Sequence, residues 1–323
     1  MKKTIIYIIT LSIIGWTTLT SNKIVAPPLN DDLSGNISIS GAFALYPLAV
    51  KWGEEFKKLH PHVQFDISAG GAGKGISDAL AGMVDLGAVS RDIYPEETKK
   101  GAFPVAVAKD AVVAIVNAAN PNIKDILAKG MKKEVFANIY ATSIYKNWKQ
   151  AGFSVSAPIH VYTRSDAAGA GETWAKYFNK KQEDLQGIGV FGDPGLLQAV
   201  KKDATGIGYN NISYAYDSKT RKQLAGIAVV PIDVNENGKI DGDENFYGSL
   251  DDLIKAIALG KYPSPPAREL YFVSKNKPQK KVVVEFLKWV LTDGQRILNE
   301  AGYIGLTKDK LDNELKEIQS GGK

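Results

Sequence analysis

An α/β fold in two lobes is the architecture the sequence predicts. Short apolar, alternating runs recur between amphipathic runs along the whole chain, the pattern of strands interleaved with helices and packed into mainly parallel sheets. The 323 residues, 44% of them hydrophobic, are enough for two lobes of ordinary domain size, each with its own core. No repeat of solenoid type is visible.

The elements follow in chain order. MKKTIIYIITLSIIGW places Lys2 and Lys3 before an apolar stretch too short to span a bilayer comfortably. A signal peptide over residues 1–26 is expected, cleaved within the small-residue stretch Thr18–Ala26, with an uncleaved anchor as the alternative. VAPPLNDDLSGN reads as an extended linker over 27–36, and ordered sequence is expected from Ile37. ISIS alternates like a strand and runs through GAFALYP into a helix on which Leu48, Trp52, Phe56 and Leu59 share a face. The unit then repeats. VQFDIS is a strand, GGAGKG a loop, and Ile76, Ala79, Leu80 and Met83 mark one face of a helix ending near Gly82. VDLGAVS, DAVVAIVN and APIHVYTR are further strands; Trp174, Tyr177 and Phe178 read as the core face of a helix starting near Glu172; LYFVSKN and VVVEFLKWVL repeat the alternation near the end.

Composition removes whole classes of function. Without cysteine there is no disulfide, thiol catalysis or lipid-modified N-terminal cysteine. Taking Lys2, Lys3 and Lys23 from the 40 basic residues leaves 37 against 35 acidic ones, a balance that gives no case for nucleic-acid or membrane binding. His60 and His62 flank Pro61 in a turn, and His160 stands alone in a strand, so no zinc arrangement is suggested. Neither a G-x-S-x-G elbow nor an H-E-x-x-H helix is present, and no catalytic apparatus is expected.

SAGGAGKGIS, residues 68–77, looks at first like a nucleotide loop. It fails as one, because Ser68 stands where a glycine is required and Gly75 where a hydroxyl is required. What remains is a glycine loop that exposes backbone N–H groups at a helix start, an arrangement suited to anions in general. GAFALYP enters a helix in the same way, and TRSDAAGAGETW places Arg164 just before a run of small residues and another helix. Three such N-termini, with Arg164 as buried countercharge, suit one tetrahedral anion.

These segments, together with GIGYNNISYA, ARELYFVSKNKP, FLKWVLTDGQ and AGYIGL, resemble the phosphate-binding periplasmic proteins, the substrate-binding components of phosphate ABC transporters. The resemblance covers nearly all of the chain after the leader. It implies a type II periplasmic-binding-protein fold, two α/β lobes joined by two crossover strands that close like a hinge on free phosphate and deliver it to a membrane permease. Lobe 1 is then expected over 37–114 and 272–323 and lobe 2 over 115–271, with crossings near Val112–Asn117 and Leu270–Ser274. A periplasmic, monomeric, non-enzymatic carrier is implied. The ligand set carried over is Ala42, Phe43, Ala44 and Leu45, then Gly71, Ala72 and Gly73, then Ser90 and Arg91, and finally Arg164, Asp166, Ala168, Gly169 and Ala170. Several of these depart from the family. Ala42, Phe43, Ala72, Ala168 and Ala170 stand where relatives commonly carry hydroxyl residues, which keeps molybdate, tungstate or sulfate open as the ligand. An exported phosphohydrolase is a further alternative. Arg91 follows Ser90 where some relatives have an aspartate that accepts the phosphate proton, so Arg91 is either a second clamp or a surface residue, and Asp92 or Asp166 is left as the acceptor. Asp166 resembles the aspartate that steadies the arginine; its other reading is a helix-dipole partner.

DVNENGKIDGDE, Asp233–Glu244, matches the calcium-loop pattern D-x-[DN]-x-[DN]-G-x5-E. Ligands would come from Asp233, Asn235, Asn237, the Lys239 carbonyl, Asp241 through water and Glu244, with Gly238 at the sharp turn. GIAVVPI upstream reads as a strand, unlike the usual entering helix. A structural calcium that stiffens the second lobe is expected; no organic cofactor is.

Overall fold

Buried side chains fall into two separate cores in the computed structural model, which describes residues 33–320. The leader expected over 1–26 and most of the linker expected over 27–36 lie outside the described residues. The first core draws on residues from Leu33 to Ala108 and again from Leu270 to Ile318, around Trp52, Phe56, Phe272 and Phe286. The second draws on Ala111 to Ala267, with Ile304, around Phe136, Tyr140, Trp174 and Tyr209.

The first lobe alternates β1 (Gly35–Gly41), α1 (Tyr46–Leu59), β2 (Val63–Ala69), α2 (Ala72–Ala81), β3 (Leu86–Val89) and α3 (Pro95–Lys99). The long β4 (Ala102–Asn117) then carries the chain into the second lobe, built from α4 (Ile123–Lys129), α5 (Lys133–Tyr140), β5 (His160–Arg164), α6 (Gly169–Tyr177), β6 (Ile188–Val190), α7 (Gly192–Lys202), β7 (Gly206–Asn211), β8 (Ile227–Val229) and α8 (Leu250–Ala258). The chain returns along β9 (Ala267–Lys275) to α9 (Lys281–Leu291), α10 (Leu298–Ala301) and α11 (Lys308–Gln319). Strand order is β2-β1-β3-β9-β4-β7-β5-β6, with β8 also on β4.

The sheets are mixed, which corrects the expectation of mainly parallel pairing. β1 pairs in parallel with β2 and β3, and β5 with β6 and β7. β4 and β9 run antiparallel to each other, and they meet β7, β8 and β3 antiparallel too. An apolar run looks the same in either direction, so the sequence pattern carries no sign of this. Chain passage between the cores falls at Lys109–Asp110 and Arg268–Glu269. Those points lie a few residues before the boundaries at 114/115 and 271/272, and beside a register irregularity between Ala106 and Ala108. The apolar run of β4 is interrupted at Lys109–Asp110, where one core gives way to the other.

Local chemistry explains the helix ends. Proline near the start of α1 fits the first turn, where its missing N–H costs nothing, and Leu48, Trp52 and Phe56 bury its inner face. Leu59 closes the helix 54% exposed rather than on that face. Gly82 ends α2 in the left-handed region, and Met83, expected on the apolar face, lies beyond the stop and is 73% exposed. α6 starts at Gly169, before Glu172, so the small residues form its first turn.

Candidate anion-binding site

The strand-to-helix loops before α1, α2 and α6 meet where the two lobes touch. Gly73 of the first lobe donates its N–H to the Ala167 carbonyl of the second at 3.0 Å, and a Cβ on Gly73 would stand 2.5 Å from the Ala167 methyl. Gly169 lies so close to Ser90 that any side chain there would strike the Ser90 hydroxyl. The Phe43 ring crosses from the first lobe to cover Arg164, whose guanidinium carbon is 5.3 Å from the ring centre, and packs edge-on against Phe191.

Among the described residues, the amides of Phe43, Ala44, Ala72, Gly169 and Ala170 make no hydrogen bond within the protein. They are the orphan donors that helix N-termini leave over, and they suit an oxyanion. Other amides in the expected set are already used. Ala42 donates to the Ala88 carbonyl, Leu45 to Ala42, Gly71 to Gly41, Gly73 to Ala167, and Ala168 to Gln182 Oε1. These five brace the loops and their N–H groups are not free for a ligand, a correction to the expected set. Ser90 is 2% exposed and its hydroxyl has no partner among the described residues.

Arg164 is held by two carboxylates. Its Nε and Nη2 donate to the two oxygens of Asp166 at 2.8 and 2.5 Å, and Nη1 donates to Asp193 Oδ2 at 2.5 Å. Asp166 therefore steadies the arginine, and its Oδ1 also accepts the Gly192 N–H at 3.1 Å. The Tyr209 hydroxyl accepts the Arg164 backbone N–H at 3.1 Å and so fixes the end of β5. Asp193 is wholly buried in the first turn of α7. Burial pushes its carboxyl above the ordinary range, against the pull of Arg164 and the Asn211 amide.

Arg91 is neither a free clamp nor a surface residue. Its guanidinium forks onto Glu97 at 2.7 and 2.9 Å, lies 4.2 Å from the Tyr94 ring centre, and also donates to the Asp92 carbonyl. Glu97 in turn accepts the Tyr94 N–H at the start of α3. Asp92 is largely exposed and pairs with Lys176. Arg164, Asp166 and Ala168 line a cavity of about 510 Å³ with Gly73, Arg91, Tyr94, Glu172 and Gln182. A neighbouring cavity of about 870 Å³ shares Arg91, Tyr94 and Glu172 and reaches Lys109 and Arg268 at the crossover strands. Sequence reasoning missed Asp193, Gln182 and Asn211; only Asn211 lies in a segment it quoted.

The Asp233–Glu244 loop closes on itself. Asp233 and Glu244 are buried and accept backbone amides: Asp233 those of Asn237 and Gly238 at 3.1 and 2.8 Å, Glu244 those of Val234 and Asn235 at 2.8 and 3.0 Å. The side-chain amides of Asn235 and Asn237 point at Asp241, which also pairs with Lys239. Among the described residues, no three acidic or histidine side chains are gathered tightly enough to hold a metal.

Two lobes on paired crossover strands, with helix N-termini facing each other across the cleft, are the features of a binding-protein fold. The description "PBP superfamily domain" matches residues 26–294, and the chain belongs to that family. It is similar to phosphate-binding protein PstS of Bacillus subtilis, 28% identical over 292 residues that cover 89% of this chain and 86% of that protein. PstS of Pseudomonas aeruginosa is 29% identical over 315 residues, covering 88% of each. Among solved structures, a putative phosphate ABC transporter substrate-binding protein of Clostridium perfringens with bound phosphate shares the fold: the TM-score is 0.68 at 23% identity, over 84% of this chain and 100% of that one.

Proposed function

We propose that the protein is the solute-binding component of a phosphate ABC transporter, capturing inorganic phosphate between its lobes and presenting it to a membrane permease. The observation that carries this reading is the set of five unpartnered amides at three helix N-termini, beside Ser90 and the buried Arg164. The phosphate-binding relatives across almost nine-tenths of the chain support the choice of ligand. The role is carriage, not catalysis. Export through the N-terminal leader to the periplasm and action as a monomer complete the proposal, and among the described residues no helix is long and apolar enough to cross a membrane.

A second tetrahedral oxyanion remains the competing ligand, favoured by the alanines at 42, 72, 168 and 170 that leave the site with few hydroxyls. Calorimetric titration with phosphate, sulfate and molybdate decides between them. Phosphate binding tightest is the expected result; tighter molybdate would transfer the assignment, and binding of none would overturn it. We also propose calcium at Asp233–Glu244. The motif supports it, and the ion would have to replace the Asn235 and Asn237 amide contacts on Asp241.

A further inference from the structure

Arg164 shares its one positive charge between two carboxylates, and among the described residues the second cation that pulls on Asp193, Arg268, is itself paired with Asp110. Asp166 takes Nε and Nη2, while Asp193 takes Nη1 alone. The other Asp193 oxygen accepts the side-chain and backbone amides of Asn211 at 2.5 and 3.3 Å. Arg268 on β9 bonds to Asn211 Oδ1 but is committed to Asp110 on β4 at 2.9 Å. Burial and the Asp193 charge together push the phenols of Tyr209 and Tyr214 up. Together the network holds three carboxylates and two guanidinium ions, and their side chains are all nine-tenths or more shielded from water.

An oxyanion arriving at the Gly169 and Ala170 amides would add its charge to that excess. Like charges repel strongly where water is excluded, and helix N-termini offset only part of the cost. Asp193 Oδ2 also occupies a guanidinium N–H that an oxyanion would use. We propose that Asp193 takes up one proton from solvent when an oxyanion settles beside Arg164, so that capture is proton-coupled and weakens as pH rises. The proton lands on Oδ2, the hold on Nη1 loosens, and that N–H turns to the anion; the one proton cancels the network's own excess negative charge, and the anion's charge is left to the guanidinium N–H and the helix N-termini. Asp166 is the poorer acceptor, because both its oxygens are engaged by the guanidinium and one also by Gly192. Burial already pushes the Asp193 carboxyl upward, the direction that uptake requires.

This inference rests on the oxyanion-binding reading, and its test separates the two. The full chain is titrated calorimetrically with phosphate and with sulfate, from mildly acidic to mildly alkaline pH, in two buffers of different ionisation enthalpy, which yields the protons taken up per anion. Sulfate brings no proton of its own, so uptake with sulfate belongs to the protein. The parent should take up about one proton per sulfate on the alkaline side, with affinity falling about tenfold per pH unit there. Asp193→Asn should abolish that uptake and bind sulfate at least about tenfold tighter at alkaline pH, the gain that one pH unit of linkage represents. Carboxyl-carbon NMR of the parent with and without sulfate gives the same answer without a variant, by showing Asp193 gain its proton on binding. Sulfate binding by the parent without proton uptake, or uptake unchanged in Asp193→Asn, overturns the inference and leaves the oxyanion reading standing. Failure of the parent to bind either anion at any pH overturns both.

Discussion

Replacing Gly73 by alanine separates the stability of the first lobe from the meeting of the two lobes, because the two effects have opposite signs. Within α2, alanine is a better helix former than glycine by up to about 1 kcal/mol, so if the lobes part in the absence of ligand, the ligand-free variant should melt no lower than the parent. Across the lobes, the new Cβ would stand 2.5 Å from the Ala167 methyl. Carbon atoms rest about 3.5 to 4.0 Å apart, so the surfaces must separate by about 1 Å and the Gly73–Ala167 hydrogen bond, 3.0 Å long, lengthens past its useful range. Overpacking of this kind costs about 1 to 3 kcal/mol, which weakens phosphate binding about 5- to 150-fold if the lobes must meet to hold the ligand. Thermal melting without ligand and calorimetric titration with phosphate measure the two parts. Adding Ala167→Gly to the variant removes the opposing methyl and should restore most of the affinity. A dissociation constant within about twofold of the parent in Gly73→Ala would refute the argument, since the bound state would then not contain this contact.

Three further outcomes follow from the same geometry. Arg164→Ala removes the guanidinium from two buried carboxylates as well as from the anion, and should cost about 2 to 5 kcal/mol in phosphate binding; a titration showing affinity within about threefold of the parent would take Arg164 out of the site. Millimolar calcium should raise the melting temperature and a chelator lower it, by about 2.7 kcal/mol of stability at a hundredfold excess over the dissociation constant, with the response lost in Asp233→Ala/Glu244→Ala. Burial by itself raises the Glu97 carboxyl, but the Arg91 fork and the Tyr94 amide outweigh it and hold it below its ordinary value of 4.5. Its contribution to stability is therefore complete above that value and lost as pH falls through the lower folded value, so denaturant melts in the acid range should show the loss in the parent and a smaller one in Glu97→Gln.

Much of this site could be read from local sequence, because its chemistry is local. Small residues between a strand and a helix mark an N-terminus with orphan amides, and the loops before α1, α2 and α6 each carry that mark. Which amides stay free is a different matter. Ala42, Gly71 and Gly73 look as available as Ala44 and Ala72 until the carbonyls of Ala88, Gly41 and Ala167 are brought beside them, and that is settled by strand register and by the meeting of the lobes. Asp193 gave no signal. In FGDPG it reads as an acidic residue in a helix first turn, and only the fold carries it to Arg164, with Asn211 arriving from β7. Arg91 was misread for the opposite reason: its partner Glu97 was in plain view, but the tight turn through Tyr94 and Pro95 that folds one onto the other was not.

The same pairings bear on how oxyanions are told apart. A carboxylate that accepts the remaining proton of phosphate would reject sulfate, and the sequence offered Asp92 and Asp166 for that work. Asp92 lies exposed against Lys176, and Asp166 gives both oxygens to Arg164. Glu97 is spent on Arg91, and Glu172, which shares the cavity, adds to burial in pushing the Tyr94 phenol up. Among the described carboxylates that line this cavity, Asp166 is engaged by Arg164 and Gly192, while Glu183 stands exposed. Discrimination then passes from a dedicated acceptor to the charge balance around Arg164, where a singly charged phosphate adds less to the excess than a doubly charged sulfate does.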